Sequence, residues 1–332
     1  MARISIIGGG AFGTALACVV RRSGHDVLLW AREPEVVESI NRDRANPHFL
    51  PDVDLVPGIQ ATGDLARASA EAELVLTAVP AQHVRAITTS MRPSLPRGTP
   101  VVSCSKGIER GTCALMPEVL AETLPQATVA VLSGPSFASE IAKDQPCAVA
   151  LACADASAAE KAARLVANPR FCVHMTDDVI GTALGGVMKN VVSIASGIAH
   201  GRKLGENARA TIVTLGLAES ARLGVAKGGR AETFLGLAGA GDFMLTANSL
   251  QSRNTSLGVA LGEGRRLADI LAGRKQVTEG AFSAEAAAEL GRRLEVELPI
   301  TEGLDALLNH GQDLDEAIGV LLRRHPPVYR AL

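Results

Sequence analysis

Three glycines, Gly8, Gly10 and Gly13, stand directly behind the apolar run Ile4-Ser5-Ile6-Ile7 and directly ahead of Thr14-Ala15-Leu16-Ala17. This G-x-G-x-x-G spacing reads as strand, tight turn and helix. Gly8 permits the turn, Gly10 lets the backbone approach a pyrophosphate, and Gly13 lets the helix pack close to the strand. The N–H groups and dipole at the helix start would then favour phosphate oxygens. Such a turn opening a βαβ unit implies a dinucleotide site; a purely structural glycine turn is the plain alternative.

The residues that follow extend the pattern. Short apolar runs at Arg3 to Ile7, Asp26 to Trp30, Leu74 to Thr77, Val101 to Ser103, Val129 to Leu132, Cys147 to Leu151 and Phe171 to Met175 alternate with helix-like stretches. Those include Phe12 to Arg22, Glu35 to Asn41, Leu115 to Thr123 and Ala156 to Val166. The alternation predicts a mostly parallel sheet with helical crossovers. After about Asp178 the strand runs give way to Ala-, Leu- and Gly-rich stretches of helical period. The expected architecture is therefore an α/β Rossmann-like domain over residues 1–178, followed by an all-α domain over 179–332.

The second strand run ends in Ala31-Arg32-Glu33. A carboxylate at this strand end holds the ribose 2′-hydroxyl of NAD, whereas an Arg accommodates the 2′-phosphate of NADP. Arg32 thus favours NADPH/NADP, with NADH/NAD as the alternative because Glu33 is a competing acid one residue on. Arg32 stacking on adenine, or simply facing solvent, is the other reading.

Composition excludes several classes. The formal net charge is −2 and aromatic residues make up 3%, so neither a basic face nor stacking platforms for nucleic acid are expected. The six cysteines form no C-x-x-C pair and no zinc spacing with histidine, which predicts reduced thiols in a cytoplasmic protein and no metal. The N-terminal run is broken by Gly8-Gly9-Gly10 and is too short for a signal peptide. The segment from Ile180 to Ala199 has the length of a membrane span, but Lys189, Asn190, Ser193, Ser196 and four glycines interrupt it. A buried helix is the expectation.

Lys189 is the only charged side chain in that segment. On a helix it shares a face with Ser193, Ser196 and His200. A partly desolvated ammonium needs partners, and it can exchange a proton with a carbonyl or alcohol oxygen. A lysine whose head reaches water along its stem is the alternative. Three further stretches sit where ligands bind in doubly wound folds or offer phosphate donors. They are Ser103-Cys104-Ser105-Lys106-Gly107, Leu132 to Ala138, and the glycine-rich Gly236 to Asp242 loop followed by Ser252-Arg253-Asn254. Asp242 could hold Lys189. A surface Lys106, a plain Gly-Pro turn, an N-cap Asp242 and a solvated Arg253 are the plain readings of the same residues.

Taken in order along the chain, the stretches Gly8 to Ala17, Ser105-Lys106-Gly107, Leu132 to Ala138, Lys189-Asn190-Val191, Gly205-Glu206-Asn207, Gly236 to Asp242 and Ser252-Arg253-Asn254 resemble the bacterial NAD(P)-dependent glycerol-3-phosphate dehydrogenase family. The resemblance implies hydride transfer between NADPH (or NADH) and dihydroxyacetone phosphate, giving sn-glycerol 3-phosphate for glycerophospholipid synthesis. It implies Lys189 as the proton donor and acceptor. Lys106, Gly134, Ser136, Asp242, Ser252, Arg253 and Asn254 would hold the substrate, with Asn190 steadying developing charge. Gly8, Gly10, Ala11, Phe12, Gly13, Arg32, Phe49, Ala138, Val277 and Glu279 would contact the cofactor, with Lys106 and Arg253 touching both ligands. A homodimer is implied by the resemblance alone. The chain departs from the family at Ala11-Phe12, where Ser-Trp is usual, at Leu215, where Arg is favoured, and at His200, where Asp precedes the glycine. The rivals are a hydroxyacid- or 6-phosphogluconate-type dehydrogenase, for which the Ser252-Arg253-Asn254 segment is the wrong anion site, and a dinucleotide sensor without turnover.

Overall fold

A computed structural model describes residues 1–272 and 279–318. The chain divides into two compact units, one made of Met1–Lys106 and Ala114–Ala183, the other of Gly107–Cys113 and Leu184–Leu332.

The first unit is built on ten strands: β1 (Arg3–Ile7), β2 (Asp26–Trp30), β3 (Ala45–Asn46), β4 (Leu50–Asp54), β5 (Ile59–Thr62), β6 (Leu74–Thr77), β7 (Pro100–Ser103), β8 (Thr128–Ser133), β9 (Cys147–Cys153) and β10 (Phe171–Thr176). Eight of them form one sheet in the order β10-β9-β8-β7-β6-β1-β2-β5, and β3 pairs with β4 in a separate hairpin. Every pairing in the large sheet is parallel except β8 with β9. The alternation of strand and helix signals produced the parallel part. At β9 the chain instead returns antiparallel to β8, through the segment that holds the five-residue helix Ala138–Ala142.

Both sheet faces are covered, so most strands read as continuous apolar runs. Alternate residues serve opposite cores. Ile4, Ile6, Leu74, Leu76 and Val102 pack with the Ala11–Arg22 helix. Ile7, Val75 and Val101 pack with Val84, Met91, Val119 and Leu120 on the other face. β5 and the β3–β4 hairpin escaped the sequence reading because their runs are short and mixed with Gln60, Pro51, Asp52 and Asp54.

The second unit is helical among the described residues. Its principal helix is the part from Leu184 onward of Val179–Gly201, which is long and apolar enough to cross a membrane by length and composition, yet 78% of its most apolar window is buried. Glycine explains how neighbours approach it so closely. A Cβ on Gly197 would lie 2.3 Å from the Thr255 carbonyl oxygen, and one on Gly258 would lie 2.0 Å from that of Ile194. Gly201 and Gly262 repeat the relation one turn on, against Val259 and Ile198. The helix Arg253–Gly262 therefore meets Val179–Gly201 backbone to backbone, around Val191, Ile194, Leu257 and Leu261.

A buried acid ties two further helices. Glu219, on the Glu206–Ala226 helix, accepts hydrogen bonds from the Ile300 N–H (2.7 Å), the Thr301 N–H (3.2 Å) and the Thr301 hydroxyl (3.1 Å) at the start of Pro299–Asn309. These donors would otherwise be orphaned at a helix N-terminus. Burial pushes its carboxyl up to about 7, against the three hydrogen bonds and the Arg222 charge that pull it down. The folded group thus binds a proton more tightly than the unfolded one. Its contribution to stability is complete below the unfolded value and is lost as pH rises through the folded one. Thermal denaturation should show Tm falling between about pH 5 and about pH 8, and Glu219→Gln should flatten that slope. An equally steep slope in the variant would assign it to other groups.

Candidate functional site

In the first unit the sheet order reverses between β1 and β6, and crevices at such switch points, beyond the strand C-termini, are where doubly wound folds bind ligands. The glycine turn sits there. Gly8 has φ +128°, and a Cβ on it would lie 2.7 Å from the Ala78 carbonyl oxygen just past β6. A Cβ on Gly13 would lie 1.9 Å from the Gly8 carbonyl oxygen, so the Ala11–Arg22 helix can start this close to β1 only with glycine there. Around Gly10 nothing stands within 4 Å of such an atom. One turn is therefore sealed at two glycines and open at the third, the arrangement a pyrophosphate requires.

The other residues expected on the cofactor side of this unit surround the same strand ends. Ala11, Phe12, Phe49 and Ala138 pack against the core below the turn. Lys106 follows β7; its ammonium donates to the Gly134 carbonyl oxygen at 2.9 Å and lies 5.9 Å from the centre of the Phe12 ring. Ser136 donates to the same carbonyl at 2.8 Å. Gly134 has φ +144° and passes so close to β9 that a Cβ would sit 3.0 Å from the Val149 Cα. The Gly134 oxygen thus gathers Lys106 and Ser136. Arg32 is 75% exposed in its side chain and forks onto its neighbour Glu33, with Nη2 2.8 Å and Nε 3.1 Å from Oε1. The competing acid is therefore the guanidinium's own partner.

In the second unit the expected residues converge on Lys189. Its ammonium lies 3.1 Å from Asp242 Oδ1 and donates to the Thr246 hydroxyl at 3.0 Å. That hydroxyl in turn donates to Asp242 Oδ1 at 3.2 Å. The side chains are 12% exposed at Lys189 and 1% at Asp242, so this is a largely desolvated pair. Sequence reasoning missed Thr246; its position one helical turn after Asp242 on the Asp242–Ala247 helix was the available signal.

Two expectations change in detail. The Gly236 to Asp242 stretch is a tight helical turn, Leu237–Gly241, kinked at Gly239, and not an open loop. Gly239, at φ −102° and ψ −106°, leaves no room for a side chain, since a Cβ would meet the Phe234 carbonyl oxygen at 2.1 Å. Ser252 is the N-cap of the Arg253–Gly262 helix, its hydroxyl accepting from the Thr255 N–H at 3.2 Å. Arg253 and Asn254 open that helix. Asn254 is buried, donates to Asn190 Oδ1 at 2.9 Å and accepts from the Gly280 N–H at 3.2 Å, which fixes the Asn190 amide so that its N–H₂ points away from Asn254. Burial pulls the Arg253 guanidinium below its ordinary value, opposed by the charge of Glu279. Leu215 is half-buried on the Glu206–Ala226 helix and His200 is exposed at the end of Val179–Gly201. Val277 lies outside the described residues.

A nucleotide-binding α/β unit with a phosphate-ready glycine turn, joined to a helical unit carrying a desolvated lysine–aspartate pair, defines an oxidoreductase of the dinucleotide-dependent class. Residues 3–159 match the domain family described as NAD-dependent glycerol-3-phosphate dehydrogenase N-terminus, and residues 178–319 match its C-terminus counterpart. The chain belongs to the NAD-dependent glycerol-3-phosphate dehydrogenase family. It is 50% identical to the glycerol-3-phosphate dehydrogenase (NAD(P)+) of Rhodospirillum rubrum over 97% of this chain and 92% of that one. It is 47% identical to the enzyme of the same name from Parvibaculum lavamentivorans over 97% and 96% of the two chains. The crystal structure of glycerol-3-phosphate dehydrogenase from Coxiella burnetii superposes with a TM-score of 0.93 at 36% identity, covering 97% of this chain and 99% of that one.

Gly13→Ala tests the turn. The added methyl cannot coexist with the Gly8 carbonyl, and overpacking of this kind costs about 1–3 kcal/mol. The variant should lose Tm in thermal denaturation and lose most of its affinity in an NADPH fluorescence titration. Unchanged affinity would mean that the cofactor does not use this turn.

Proposed function

We propose that this chain reduces dihydroxyacetone phosphate to sn-glycerol 3-phosphate with NADPH, in the cytoplasm, and so supplies glycerophospholipid synthesis. Residues 1–178 act as the dinucleotide-binding domain and residues 179–332 as the helical substrate domain. The observation that carries the reading is the Lys189–Asp242–Thr246 cluster. Family membership over nearly the whole chain supports the substrate class, a small phosphorylated carbonyl compound.

The open side at Gly10 and the N–H groups of the Ala11–Arg22 helix start fit a dinucleotide pyrophosphate. Gly8, Gly10, Ala11, Phe12 and Gly13 would hold it, with Phe49, Ala138, Val277 and Glu279 as further contacts. Arg32 would take the 2′-phosphate of NADPH once it leaves Glu33; NADH remains a second substrate. A bound reduced nicotinamide supplies a hydride to C2 of the substrate.

Lys189 performs the proton step. As C2 gains the hydride, its oxygen acquires negative charge, and the Lys189 ammonium gives that oxygen a proton. Asp242 and Thr246 hold the ammonium in place from one side and so fix where its proton can be delivered. In the reverse direction the neutral amine accepts the alcohol proton. Ser252, Arg253 and Asn254, at the start of their helix, would bind the substrate phosphate, and the family resemblance assigns Lys106, Gly134 and Ser136 to the substrate as well. The Asn190 amide, oriented by Asn254, would donate to the developing oxyanion. A homodimer belongs to the same reading and is checked by sedimentation.

NADPH oxidation followed at 340 nm with dihydroxyacetone phosphate tests the whole. Lys189→Ala should lower kcat by about a thousandfold or more with a much smaller change in KM, since it removes an interaction that operates in the transition state. Near-normal turnover would remove Lys189 from the role. In the same assay Arg32→Ala should lower the NADPH-over-NADH ratio of kcat/KM by about tenfold, the worth of one charge-assisted contact; an unchanged ratio would place the 2′-phosphate elsewhere.

A further inference from the structure

We propose that Asn46, a residue assigned no role so far, is the positioning residue of the glycine turn, holding the peptide on which the dinucleotide pyrophosphate rests. The inference deepens the cofactor reading above and rests on it.

Asn46 ends β3 in the hairpin that sequence reasoning passed over, and its side chain is fully buried. Its amide nitrogen donates two hydrogen bonds of 2.8 Å, one to the Gly9 carbonyl oxygen and one to the Thr14 hydroxyl. The Thr14 hydroxyl also reaches the Gly9 carbonyl, at 3.3 Å. Its amide oxygen accepts from the Phe49 N–H at 3.2 Å. All the donors and one acceptor site of a single buried amide are thus spent on three places: the turn, the first turn of the Ala11–Arg22 helix, and Phe49.

The grip on Gly9 matters because of peptide geometry. The Gly9 carbonyl and the Gly10 N–H belong to one planar trans unit and point in opposite directions. Fixing the carbonyl toward the buried Asn46 amide therefore turns the Gly10 N–H away from that amide, and a Cβ at Gly10 would meet nothing within 4 Å. Glycine itself does not choose this orientation. With no Cβ, the Gly8-Gly9-Gly10 stretch has more accessible backbone conformations than any other sequence. A buried, doubly donating amide removes that freedom before a ligand arrives, which lowers the ordering cost of binding. The same amide sets the backbone of Phe49, so turn and aromatic ring are positioned together.

Only a side-chain amide meets all these demands at this position. Aspartate of the same shape has no N–H to donate when ionised and would place a charge beside the Gly9 carbonyl. Leucine of similar volume would leave the Gly9 carbonyl with only the longer Thr14 contact and would take the amide oxygen from the Phe49 N–H.

The test compares Asn46→Leu, Asn46→Asp and Thr14→Val with wild type and with Val166→Ala, a cavity variant at the buried end of the Ala156–Val166 helix in the same unit. Each protein is measured for Tm, for NADPH affinity by fluorescence titration, and for the KM of cofactor and of substrate. The expected result is that Asn46→Leu and Asn46→Asp weaken NADPH at least tenfold, and Thr14→Val by about threefold to tenfold, each with less than a twofold change in substrate KM. Val166→Ala should lose Tm but keep its cofactor KM, which separates positioning from mere loss of stability. If the Asn46 variants do not fold, Thr14→Val, which removes one hydroxyl at nearly constant volume, decides alone. Unaltered NADPH affinity in Thr14→Val and in any folded Asn46 variant overturns the inference while leaving the cofactor reading intact. Failure of wild type to bind NADPH removes both.

Discussion

The desolvated contact between Lys189 and Asp242 is the constraint around which the helical unit is arranged. Removing one member of such a buried pair costs about 3–5 kcal/mol, because the partner is left charged without compensation. The chain accordingly brings the two together with backbone contacts that admit no side chain. Gly185 lies one helical turn before Lys189, and a Cβ there would stand 2.3 Å from the Ala238 carbonyl oxygen. Ala238 in turn lies four residues before Asp242. The close approach at Gly185 and Ala238 therefore carries through, one turn later, to the ion pair. Phe234 supports the kinked turn at Gly239: its ring occupies the space a side chain at Gly224 would fill, and its backbone occupies that of Gly239. A series of missing side chains thus delivers one carboxylate to one ammonium.

The nucleotide-binding unit uses the same device for a different end. Gly8 and Gly13 are compressed against the Ala78 and Gly8 carbonyls, while Gly10 faces open space. The strand order, with β1 beside β6, creates a crevice at that point, and the helix that starts there supplies N–H groups. Lys106 and Ser136, far apart in sequence, meet on the Gly134 carbonyl because β7 and β8 are parallel neighbours ending on the same side of the sheet. Topology converts separate strand-end loops into one polar rim.

The glycine turn, the alternation of strand and helix signals, and the lone Lys189 in an apolar helix were legible because each is a local regularity: a spacing, a period, or a charge where none is expected. The ordered recurrence of the short stretches carried the family and, with it, most of the residues expected at the site. Thr246, Asn46 and Glu219 were not legible. Each is an ordinary polar residue whose importance comes from burial beside a group distant in sequence, and burial of an isolated polar side chain leaves no periodic trace.

The sequence alone pointed to a two-part protein with a dinucleotide site, since periodicity and glycine spacing depend only on backbone sterics and side-chain size. The tertiary structure decided the partners. It showed that Glu33 occupies the Arg32 guanidinium, that Asn254 orients Asn190, that Ser252 caps a helix, and that Thr246 completes the lysine cluster. Those facts depend on which elements fold against which, and hydrogen bonds and ion pairs form between neighbours in space whatever their separation along the chain.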